Sequence, residues 1–127
     1  MDSKSGADGR DRGRIGEDVA CRFLRARGAV IVERNFHCRG GEIDIVARIA
    51  GYLVFVEVRL RSSQRFGSGA ESVDGRKRQR LVRAARYYLG LHRRAASLPM
   101  RFDVISIEPR GTEFSIEWLT DAFAAEY

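Results

Sequence analysis

No run of apolar residues approaches the ~20 that a bilayer-crossing helix needs, so no transmembrane segment is expected. The opening stretch, Met1 to Gly13, is polar, charged and glycine-bearing. Without an apolar h-region it does not read as a secretory signal, and residues 1–13 are expected to form a flexible tail. Sulfur and imidazole are scarce. Two cysteines (Cys21, Cys38) and two histidines (His37, His92) are too widely spread to supply the paired ligands of a zinc site. With no export signal, both thiols are expected to be reduced in a cytoplasmic setting. Lysine is nearly missing: of 23 basic residues only Lys4 and Lys77 are lysine, and the rest are arginine.

The 127 residues suit one domain, expected over residues 14–127, long enough to bury a core without disulfide staples. The 23 basic residues oppose 17 acidic ones, for a formal charge of +6. An excess of positive charge favours polyanions through counterion release, although charge alone does not name the partner.

Apolar periodicity divides the chain. Ile15, Val19 and Phe23 recur every four residues, joined by Ala20, Leu24 and Ala26, which predicts a helix from Gly13 to a stop at Gly28. Ala29 to Val32 reads as a short strand, Asn35 to Arg39 as extended, and Gly40-Gly41 as a break. Glu42 to Ala47 alternates, with Glu42 and Asp44 on one face and Ile43 and Ile45 on the other. After a turn at Ala50-Gly51 comes the strongest strand, Tyr52 to Arg61, with Val54, Val56, Val58 and Leu60 opposite Leu53, Phe55, Glu57, Arg59 and Arg61. Ser62 to Ser72 reads as a loop. Asp74 is an expected N-cap for a second helix ending near Leu91, whose stripe holds Leu81, Ala84, Ala85, Tyr88 and Leu89. Strands at Arg101–Ile107 and Phe114–Leu119 flank a turn at Pro109-Arg110-Gly111, with a short tail from Asp121. Trp118 and Phe114 read as core. The order is α-β-β-β-α-β-β, an α/β domain.

The chemistry-bearing pattern is Gly41-Glu42-Ile43-Asp44 followed, thirteen residues on from Asp44, by Glu57-Val58-Arg59-Leu60-Arg61. Apolar flanks hold each carboxylate against a core, where an unpaired negative charge is costly. Asp44 and Glu57 together make a suitable oxygen pair for Mg²⁺, which takes one or two carboxylates and completes its shell with water and phosphate. Arg59 follows on the same strand face, where a cation can hold a phosphate. Cross-strand salt bridges on a solvated face explain Asp44, Glu57, Arg59 and Arg61 equally well.

At these residues the sequence resembles the bacterial YraN-like family. The resemblance rests on Arg34 to Ala47, Phe55 to Arg61, Gly13 to Ala20, Lys77 with Arg80-Leu81, and Arg101 to Val104, and it spans about Gly13 to Phe123. It implies a restriction-endonuclease-like fold, a mixed β-sheet flanked by helices, similar to archaeal Holliday-junction resolvases. It further implies metal binding (Mg²⁺ or Mn²⁺) by Asp44 and Glu57, with Glu17 of the first helix brought to the same site. The expected function is a metal-dependent nuclease on nucleic acid, branched DNA included. No membrane association is expected, and a homodimer is expected by analogy with resolvases. The family usually carries lysine where Arg59 stands. Arginine cannot serve as a base but still clamps phosphate. The alternative is therefore a non-catalytic nucleic-acid-binding domain of the same fold; a protein-interaction subunit is a third reading.

Other residues carry two readings each. Glu17 in the first turn also suits the helix dipole on an exposed face. Glu42 belongs to the site's surroundings or is a plain cross-strand charge. Lys77, Arg80 and Arg83 share one face of the second helix and, with Arg39 and Arg61, are candidates for nucleic-acid contact; a solvated basic face is the other reading. Arg65, Phe66 and Gly67 belong to the glycine-rich loop. His37 and His92 read as structural or exposed.

Overall fold

The structure is a computed structural model describing residues 4–61 and 75–123, with side chains described from Gly13 onward. Helix α1 (Lys4–Ala26) leads into β1 (Val30–Cys38), β2 (Gly41–Ile49) and β3 (Tyr52–Leu60); helix α2 (Gly75–Leu91) follows, then β4 (Met100–Arg110) and β5 (Glu113–Phe123). The α-β-β-β-α-β-β order expected from the sequence is the order observed. The expectations for Ser62 to Ser72 and for an N-cap at Asp74 lie outside the described residues.

The five strands form one mixed sheet in the order β1-β2-β3-β4-β5. All neighbours are antiparallel except β3 and β4, which run parallel. A parallel pair cannot be closed by a tight turn, and here α2 lies in the crossover. Ala50 and Gly51 join β2 to β3 with φ of 51° and 87°, the two left-handed residues of a type I′ hairpin turn.

Two cores form, one on each face of the sheet. On one, Ala20, Cys21 and Leu24 of α1 pack on Ile45, Ala47, Val54, Val56 and Ile105. On the other, Leu81, Ala84, Ala85 and Tyr88 of α2 pack on Ile43, Val46, Leu53, Phe55 and Phe102. The centre of β3, Leu53 to Val56, is buried throughout, because a helix covers each side.

Several boundaries differ from the sequence expectation. Helix α1 begins at Lys4 rather than at Gly13. Its buried stripe is Gly16, Glu17, Ala20, Cys21 and Leu24, while Ile15 is exposed and Val19 and Phe23 only partly buried. Gly16 and Ala20 let the helix lie close to the sheet, and a Cβ on Gly16 would stand 3.6 Å from Val58 Cγ1. The two short extended segments after α1 are one strand with a register shift between Ile31 and Glu33. Strand β4 runs through Pro109 and Arg110, and β5 continues to Phe123. Phe114 is exposed rather than core, being paired with Pro109 near the end of the β4–β5 hairpin.

Candidate active site

Successive strand residues normally alternate faces, so Ile43 and Ile45 were expected together. They lie in opposite cores: Ile45 faces α1 and Ile43 faces α2. Strand β1 changes face at the same level. Arg34, paired with Ile45, reaches α1, whereas Phe36, paired with Ile43, joins the α2 core. Between them Asn35 takes φ 55°, a left-handed conformation that asparagine adopts more readily than most residues. The alternation is thus broken where Asn35 stands across from Asp44.

The break also opens the seam between β2 and β3. Their pairing runs from Ile49 with Tyr52 to Ile45 with Val56. Beyond it the Asp44 Oδ2 accepts the Val58 amide at 2.8 Å. The amides of Leu53 and Arg61 donate toward β4, to Pro99 and Ile107. By the two-residue period of a strand, the Val58 amide faces β2, and a side-chain oxygen takes it up.

Asp44 and Glu57 line one pocket of about 290 Å³ together with Glu42, Arg59, Lys77 and Arg80. Burial, and then the nearby Glu57 charge, push the Asp44 carboxyl up to about 7. Burial raises Glu57 as well, and the Arg59 and Lys77 charges oppose that rise. Arg59 Nη1 lies 3.7 Å from Glu57 Oε2, and both side chains are mostly buried. A solvated face does not describe this pair.

Glu17 is 7% exposed, which excludes the exposed-helix reading. Its Oε1 accepts Asn35 Nδ2 at 2.9 Å and Arg34 Nη2 at 3.3 Å. It stands near enough to Asp44 to add to the rise of that carboxyl, but it does not line the pocket. Among the described residues no three acidic, histidine or cysteine side chains are grouped to hold a metal ion. Asp44 and Glu57 are the residues that would hold such an ion, since Mg²⁺ takes one or two carboxylates from a protein and completes its shell with water and phosphate. Two largely buried carboxylates, one of which raises the proton affinity of the other, suit a cation chemically.

Glu42 is half-exposed and faces its cross-strand partner His37, with Oε1 3.4 Å from Nδ1. On α2, Lys77 is partly buried while Arg76, Arg78, Arg80 and Arg83 are exposed. The helix lies very near the β1–β2 turn. A Cβ on Gly41 would fall 2.2 Å from the Arg80 carbonyl oxygen, and one on Gly40 would meet Arg83 Cδ at 3.2 Å. Arg39 is exposed in that turn, and Arg61 is partly buried just after β3. Arg34 and Asn35 open the segment that carried the family resemblance but were given no site role from the sequence; the available signal was an asparagine inside a strand-forming run. A larger cavity of about 630 Å³ at the other end of α2, bounded by Val32, Leu53, Tyr88 and Arg93, has no acidic residue in its lining.

Cys21 and Cys38 are free thiols. No helix among the described residues is long and apolar enough to cross a membrane.

Residues 16–107 match the family described as "Uncharacterised protein family UPF0102". Similar proteins include a UPF0102 protein of Hahella chejuensis, 48% identical over 114 residues and covering 90% of each chain. Another, from Ralstonia pickettii, is 50% identical over 119 residues, again 90% of each. A third, from Legionella pneumophila, is 43% identical over 115 residues, 91% of this chain and 96% of its own. On the match across most of its length, this chain belongs to the UPF0102 family.

Proposed function

We propose that this protein is a divalent-metal-dependent nuclease of the restriction-endonuclease-like kind, acting on DNA in the cytoplasm. The observation that supports this most is the pairing of Asp44 and Glu57, two largely buried carboxylates that share the lining of one small pocket with cations. In this reading Asp44 and Glu57 hold Mg²⁺ or Mn²⁺. Held there, the ion would supply a Lewis acid for the phosphoryl oxygen and a lowered pKa for a bound water. Asp44 is oriented for this by the Val58 amide, which fixes one oxygen. Arg59, leaning on Glu57, and Arg80 bind phosphate oxygens and oppose the negative charge that builds during displacement. Glu17, tethered by Arg34 and Asn35, keeps Asn35 and hence the strand break in position. Arg39, Arg61 and Arg83 extend the phosphate-binding surface, and a homodimer would cut two strands symmetrically.

The test offers purified protein linear, single-stranded, flapped and four-way DNA, and RNA, with Mg²⁺ or Mn²⁺. Cleavage is expected, strongest on branched DNA, and lost in Asp44→Ala and Glu57→Ala. The Arg59–Glu57 contact favours a second reading, a nucleic-acid-binding domain without catalysis. If wild type and Arg59→Lys are both inert on every substrate they bind, that second reading replaces the first.

A further inference from the structure

The cation on β3 two residues after Glu57 is already committed to that carboxylate. Arg59 is engaged with Glu57 at 3.7 Å, and its planar fork is not equivalent to the compact, strongly hydrated ammonium of lysine. The pocket nevertheless has an ammonium. Lys77 enters it from the first turn of α2, on the opposite wall from β2 and β3.

Three observations set Lys77 apart from the arginines around it. It is partly buried where both sequence neighbours are exposed. Its charge acts on Glu57. It lies where a cation opposes the helix dipole, in a first turn that has no acidic residue to offset it. The Glu57 carboxylate across the pocket compensates that placement. The height of the helix is set by backbone contact: the Arg80 carbonyl rests on Gly41, leaving no room for a Cβ. Lys77, one turn earlier on the same face, is held over the carboxylates as a consequence.

Resting on the nuclease reading, we propose that Lys77 supplies from α2 the ammonium that contacts the substrate phosphate beside the Asp44–Glu57 carboxylates. It acts as a fixed cation with three donors, not as a proton acceptor. Arg59 then steadies Glu57, and the site is built jointly by the sheet and α2.

The chain has only two lysines, Lys4 and Lys77, so protein labelled with ¹³C at lysine Cε gives two resolvable signals. Lys4 lies about 20 Å along α1 from Glu17 at helical rise. Titrated Mn²⁺ should broaden the Lys77 signal well before that of Lys4, and Asp44→Asn with Glu57→Gln should abolish the difference. In cleavage assays Lys77→Gln should lose on the order of 100-fold in kcat with Mn²⁺ affinity, read by calorimetry, kept or tightened. Arg59→Lys in the Lys77→Gln background should recover part of the rate. Circular dichroism melts confirm that each variant folds. Equal broadening of both signals in protein that binds Mn²⁺, or wild-type cleavage by Lys77→Gln, overturns the proposal while leaving the nuclease reading intact. Selective broadening of Lys77 in a protein that cleaves nothing overturns the nuclease reading and leaves Lys77 at the metal.

Discussion

The Asp44 carboxylate accepts the backbone amide of Val58 at 2.8 Å, closing with a side chain a seam that the β2–β3 ladder leaves open. One oxygen is thereby fixed beside Glu57, and the group is buried at the same time. Its raised proton affinity, about 7, comes from that burial and from the Glu57 charge.

Stability without metal should therefore fall as pH rises. The unfolded chain releases the Asp44 proton near its usual 3.8, the folded chain near about 7. The contribution is complete below the lower value and lost as pH passes the upper one. Glu57 is shifted in the same direction. Melting temperature in chelator should drop between about pH 5 and pH 8, by on the order of 2 kcal/mol in stability. Asp44→Asn, which keeps an oxygen for the Val58 amide, should flatten the profile. Mn²⁺ at about pH 8 should restore the wild type and not the variant.

Gly41→Ala should cost about 1–3 kcal/mol in urea denaturation, the range for overpacking. The added carbon would meet the Arg80 backbone, which cannot rotate away. Gly90→Ala, in the same helix with nothing within 4 Å, should instead stabilise by about 0.5–1 kcal/mol. Equal effects of the two changes would show that α2 does not rest on Gly41.

Asp103→Ala should be among the most damaging single changes, at about 3–5 kcal/mol. Its fully buried carboxylate accepts Arg101 Nε at 3.0 Å, Trp118 Nε1 at 2.9 Å and the Asp121 amide at 2.9 Å. These contacts tie β5 to β4 across their register shift. Trp118 is the single tryptophan, so its fluorescence should change in the variant and give the unfolding midpoint directly.

Nucleic-acid binding should be steeply salt-dependent, measured by anisotropy between about 50 and 200 mM salt. Each phosphate contact adds about 0.9 to the logarithmic slope. Arg80→Ala with Arg83→Ala should lower the slope by about 1.8 and weaken all sequences alike. An unchanged slope would remove the exposed face of α2 from the interface.

The sequence by itself determined the element order, the hairpin turn at Ala50-Gly51 and the stripe of α2, because each follows from local periodicity and turn chemistry. It also brought Asp44, Glu57 and Arg59 forward through their spacing and apolar flanks. Other features needed the tertiary structure. The face change at Asn35 and Asp44 depends on two strands departing from alternation together, and no single strand's pattern encodes that. Glu17 looked like an exposed helix acid because its burial depends on the close approach that Gly16 and Ala20 allow, which turns α1 away from the Ile15 stripe. Lys77 read as part of a basic run. That it reaches the pocket partly buried, while the arginines beside it stay exposed, was decided by Gly41 meeting the Arg80 backbone, a contact between residues far apart in the chain whose effect is steric and therefore invisible to spacing.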